Sequence, residues 1–113
     1  MKKNDYEVIF AIVDSGYAED VMDVAREQGA RGGTIIDARG VAREDAAAFF
    51  GITLHYEKEI VMIVVPKSIR DAVLNAIYKE MDMSKKAHGI AFSLPISETV
   101  GLVKTEEETE AKK

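Results

Sequence analysis

The chain has 113 residues, 47% of them hydrophobic and 31% charged, which suffices for one hydrophobic core but not two and lies far from the composition of a disordered chain. Fifteen basic against twenty acidic residues leave a net charge of −5, which argues against duplex nucleic acid as a partner, because such binders set a basic face against phosphates. There is no cysteine, so a disulfide framework, a thiolate metal site and a cysteine nucleophile are all excluded.

Tyr6 to Val13 is rich in β-branched and aromatic residues and runs into the turn chemistry of Asp14-Ser15-Gly16, which predicts a first strand. The apolar stretch is too short for a signal segment or a bilayer span. The expectation is a cytoplasmic protein without membrane insertion. Ala18 to Gln28 sets Val21, Met22, Val24 and Ala25 among charged residues at helical spacing, with Glu19 and Asp20 in the first turn and Gly29 as its C′ residue. Gly33 to Gly40 reads as a second strand bounded by glycines. Val41 to Tyr56 has no clean period and is a long excursion.

Glu57 to Val65 carries the run Ile60-Val61-Met62-Ile63-Val64-Val65, a buried strand closed by Pro66. Ser68 is placed to cap a helix with Ile69, Ala72, Val73, Ala76 and Ile77 on one side, Lys67 and Arg70 facing water, and an end near Met83. After the polar loop Ser84 to Gly89, Ile90 to Leu94 makes a last strand stopped by Pro95. Residues 104–113 are charged and lack a face to bury, so a disordered tail is expected after a single domain spanning 1–103.

The order β-α-β, long loop, β-α-β is the split βαβ pattern, and predicts an α+β ferredoxin-like fold: a four-stranded antiparallel sheet with both helices on one face. The first and third strands are apolar at nearly every position. An apolar second face is costly in water, so the pattern also predicts self-association.

Two segments carry a family resemblance. Gly29-Ala30-Arg31-Gly32-Gly33-Thr34-Ile35-Ile36-Asp37-Ala38-Arg39-Gly40 and Glu57-Lys58-Glu59-Ile60-Val61-Met62-Ile63-Val64-Val65 closely resemble the nitrogen-regulatory PII signalling proteins, the first their helix exit and start of the T-loop, the second the strand on which that loop returns. The resemblance implies a homotrimer with adenine-nucleotide clefts between subunits, where ATP, ADP or AMP acts as effector and no resident cofactor is held. It also implies a T-loop, here residues 41–56, that regulates a protein target such as a membrane transporter or an enzyme.

Residue by residue, the resemblance sets Gly32 and Thr34 against the adenine, with Gly33 between them in the ligand-binding set, Ala38, Arg39 and Gly40 at the base of the T-loop, and Lys58 at its other end. The family's phosphate-holding loop, Thr-Gly-x-x-Gly-Asp-Gly-Lys, is replaced by Met83-Ser84-Lys85-Lys86-Ala87-His88-Gly89-Ile90, with Ile90 at the lysine's position. Gly101-Leu102-Val103-Lys104-Thr105 stands where the family has Arg-x-Arg-Thr-Gly, and the T-loop is several residues shorter.

Several residues admit two readings. Lys85, Lys86 and His88, with Gly89 beside them, either replace the missing phosphate-binding lysine or form a solvated loop. Arg39 and Arg43 offer planar donor forks suited to phosphate or carboxylate, or are solvated charge. Phe49 and Phe50 either pack back on the body or, with Arg43, contact a protein partner. His55 and His88 are the only histidines, too few to recommend a metal site. Ser15, Ser68, Ser84, Ser93 and Ser97 lack a histidine at a suggestive spacing, so no enzyme activity is expected. Two other classes remain open: a divalent-metal-tolerance-type trimeric module, recognisable by histidines and carboxylates clustered at the cleft, and a structural assembly subunit without a small ligand.

Overall fold

The computed structural model describes residues 5–41, 57–81 and 89–102. Its elements follow the order β1 (Tyr6–Asp14), α1 (Ala18–Glu27), β2 (Thr34–Arg39), β3 (Glu57–Pro66), α2 (Lys67–Met81) and β4 (Ile90–Pro95). The strands form one antiparallel sheet in the order β2-β3-β1-β4. This is the expected ferredoxin-like βαββαβ arrangement, with the two long apolar strands in the centre. The expected excursion, the polar loop before β4, the helix end near Met83 and the charged tail fall outside the described residues.

Because successive side chains of a strand point to opposite faces, the odd-numbered residues of β1 and β3 face one way. Ile9, Ala11 and Val13 on β1 and Val61, Ile63 and Val65 on β3 are buried there. Val21, Met22 and Ala25 of α1 and Val73, Ile77 and Met81 of α2 complete that core. Helix α1 ends as expected: Gly29 adopts φ +107, its N–H donates to Arg26 O, and the Ala30 N–H donates to Ala25 O. That pair of bonds is a Schellman motif, which needs the left-handed conformation glycine adopts freely.

Two local expectations are corrected. Ser68 lies inside the first turn of α2 and not at its cap, because the helix begins at Lys67. Pro66 has no N–H with which to extend the ladder, and the Lys67 N–H is held by Asp5 O at 3.1 Å, so strand passes to helix without a linker. Arg70 does not simply face water. Its Nη1 donates to Oε1 of Glu7 at 2.7 Å and its Nε to Oδ1 of Asp71 at 2.9 Å. Glu7 is buried among apolar neighbours on the helix-covered face, where an unpaired carboxylate would be costly. Arg70 is thus the tie between α2 and β1, and hydrogen bonding to Glu7 and then to Asp71 raises its pKa above the ordinary arginine value. No helix among the described residues is long and apolar enough to cross a membrane.

Candidate functional site

Among the described residues, no helix lies on the second face of the sheet. The strand registers align its side chains in rows across the four strands. Ile90, Ile12, Ile60 and Ile36 form one row, Phe92, Phe10, Met62 and Thr34 the next, and Leu94, Val8 and Val64 a third. Phe10 and Phe92 stack with ring centroids 5.5 Å apart, an offset contact worth a fraction of a kcal/mol to about 1.5 kcal/mol beyond burial. Toward the edges these side chains are open to solvent: Ile36 is 42% exposed, Ile90 60%, Phe92 38% and Leu94 48%.

At one end the apolar rows give way to Ala38, Lys58 and Asp14, a row with two charged members. This is the end from which residues 42–56 depart, between Val41 and Glu57. The first three residues of β3 grip the turn between β1 and α1. Glu57 O accepts from the Ser15 N–H at 3.0 Å. Lys58 Nζ donates to Asp14 Oδ1 at 2.5 Å. Glu59 Oε1 accepts from the Gly16 N–H at 2.9 Å and the Ala18 N–H at 3.2 Å. Tyr17, at the N-cap of α1, makes no side-chain cap, and the β3 carboxylate instead satisfies the amides on either side of it, the first amide of the helix among them, and complements the helix dipole.

The glycines of the candidate site differ in what they do. A Cβ on Gly33 would lie 2.8 Å from Met62 O and 2.9 Å from Met22 Sδ, and one on Gly89 would collide with Ile12 O. Both are therefore required by close packing against the central strands. A Cβ on Gly32 would meet nothing within 4 Å among the described residues, so their packing does not demand glycine there.

The profile of the family described as Nitrogen regulatory protein P-II matches residues 6–107. The chain belongs to that family. Among solved structures, Arabidopsis thaliana PII bound to citrate is similar at 25% identity and TM-score 0.65, over 86% of this chain and 80% of that one. CPII, a PII-like protein from Thiomonas intermedia bound to ADP, AMP and bicarbonate, is similar at 16% identity and TM-score 0.66, over 89% of this chain and 100% of that one. A putative PII-like signalling protein from Thermus thermophilus is similar at 18% identity and TM-score 0.64, over 85% of this chain and 91% of that one. The last two likenesses carry the fold alone. No curated protein matches the sequence.

The PII fold distributes the candidate residues over two edges of one sheet. Gly32, Gly33, Thr34, Ala38, Arg39 and Gly40 lie on or beside edge strand β2, with Lys58 next to Ala38 on β3. Gly89 leads into β4, the opposite edge. Three strand spacings, about 14 Å, separate the edges. A single chain does not bring the two groups together. Lys85, Lys86, His88, Arg43, Phe49 and Phe50 lie outside the described residues.

Lys58 is engaged by Asp14, and neither Asp14 nor Glu59 was singled out by sequence reasoning. For Glu59 a signal exists in retrospect: it is a carboxylate at an inward position of an apolar strand, and the helix after β1 opens on Tyr17 with no capping side chain of its own. Among the described residues, no three histidines, aspartates or glutamates are grouped so as to hold a metal ion.

Proposed function

We propose that this PII-family chain is a cytoplasmic signal-transduction protein of nitrogen metabolism that acts by binding and not by catalysis. It assembles as a homotrimer through the open face of its sheet. In each cleft between neighbouring subunits it takes an adenine nucleotide (ATP, ADP or AMP) or a related anionic metabolite, and it reports the ligand to a transporter or enzyme through residues 41–56.

One observation carries this reading: the residues that the resemblance sets at the ligand site lie at opposite edges of a sheet whose intervening face is apolar and, among the described residues, uncovered. Burial of apolar surface drives association, and an assembly that covers this face can bring the β2 edge of one subunit toward the β4 edge of the next. Gly32 then has a reason to lack a side chain, since space that the described residues leave open is available to a ligand at a subunit boundary. Thr34 contributes a hydroxyl and Lys58 a charge to the same cleft, with Gly33, Ala38, Arg39, Gly40 and Gly89 shaping it. Lys85, Lys86 and His88 supply positive charge for phosphates, and Arg43, Phe49 and Phe50 contact the protein partner. Nucleotides and small carboxylates in the solved relatives support this ligand class. Signalling follows by population shift, in which contacts made in only one loop conformation favour that conformation.

The test is calorimetric titration with ATP, ADP, AMP and cyclic nucleotides. Saturable binding, lost in Thr34→Ala and Gly32→Val, is the expected result. Absence of binding by every nucleotide would refute the nucleotide reading and favour a structural assembly subunit or a metal-tolerance-type module.

A further inference from the structure

Asp14 and Lys58 stand directly opposite each other on the last rung between β1 and β3. Their side chains are only 9% and 20% exposed, with Nζ and Oδ1 2.5 Å apart. On its other flank, Lys58 is paired in register with Ala38. The next carboxylate along β3, Glu59, points to the opposite face and accepts from the Gly16 and Ala18 amides.

We propose that Asp14 is an internal anion that occupies, at Lys58, the position a ligand's carboxylate or phosphate would otherwise take. Asp14 is thereby a specificity-determining residue. This rests on the reading of Lys58 as a ligand-binding residue and adds what governs its availability. Two ions so far withdrawn from water have given up hydration, and their pairing offsets part of that loss. An incoming anion must displace the Asp14 carboxylate and leave it without its lysine in a poorly hydrated position. Otherwise it must share the lysine at a distance where like charges repel. Either route weakens the hold on an anionic group at the loop base, while a neutral group bound at Gly32 to Thr34 is untouched. The site therefore accepts a nucleoside more readily than a second anionic group reaching to Lys58.

The experiment is calorimetry at low ionic strength with citrate, acetate and inorganic pyrophosphate as probes, on the wild-type protein, Asp14→Asn and the double variant Asp14→Asn/Lys58→Met, with AMP titrated in parallel. Asn keeps the shape and an acceptor for Lys58, and Asp14→Ala serves if circular dichroism shows that Asp14→Asn does not fold. Asp14→Asn is expected to bind the anions about tenfold more tightly or better, a gain lost in the double variant. The carboxylate and phosphate arms separate the two ligand chemistries. Equal anion affinity in wild type and Asp14→Asn, or a gain that survives Lys58→Met, overturns the proposal. AMP binding without an anion gain refutes the role of Asp14 alone, and an anion gain without AMP binding refutes the nucleotide reading alone.

Discussion

Both faces of the sheet carry rows of apolar side chains, yet among the described residues one is closed and the other is not. On the first, Ile9, Val13, Val61, Ile63 and Val65 are wholly withdrawn from water by α1 and α2. On the second, the isoleucine row from Ile90 to Ile36 and the stacked Phe10 and Phe92 have no cover among the described residues. Hydrophobic composition states that a surface must be buried, and only topology states by what. With both crossover helices on one side, the cover for the other side must come from outside the sheet and its helices.

The contrast can be broken most forcefully on the closed face. Ile63→Ala should cost about 2–5 kcal/mol, because it removes a fully buried side chain and leaves a cavity; denaturant unfolding of the variant checks this. Gly89→Ala tests the junction of both faces with β4. The new methyl would collide with Ile12 O, so a loss of about 1–3 kcal/mol is expected from overpacking, measured the same way. Glu59→Ala removes the distant cap of α1 and should cost about 1 kcal/mol, with faster hydrogen exchange at the Gly16 and Ala18 amides as its signature. Gly32→Ala, at a position that the described residues leave open, should change stability by less than about 0.5 kcal/mol while weakening nucleotide binding in the titration above. A large stability loss for Gly32→Ala would show that this glycine serves the fold after all.

Much of this was legible in the residues themselves. The apolar runs of β1 and β3, the helical spacing of α1 and the glycine after it each follow from local chemistry, and each appears within a residue or two of its expected bounds. So does the unsatisfied second face, which the unbroken apolar character of β1 and β3 already implies. What was not legible depends on contacts between distant parts of the chain. Glu59 caps a helix that begins 41 residues earlier, Arg70 reaches a buried Glu7 63 residues away, and Asp14 meets Lys58 only once the register of β1 on β3 is known. Local periodicity carries no information about these partners. Gly32, Gly33 and Gly89 look alike in sequence, and only the space around each separates a demand of close packing from one that comes from outside the fold.

Mass in solution tests most directly whether the open face is an interface between copies of this chain. Light scattering on the purified protein, beside Ile36→Asp/Ile90→Asp, which sets a charge at both ends of the isoleucine row, should give three chains for the wild type and one for the variant, with unchanged circular dichroism. A wild-type protein that remains a single chain at micromolar concentration would contradict the account.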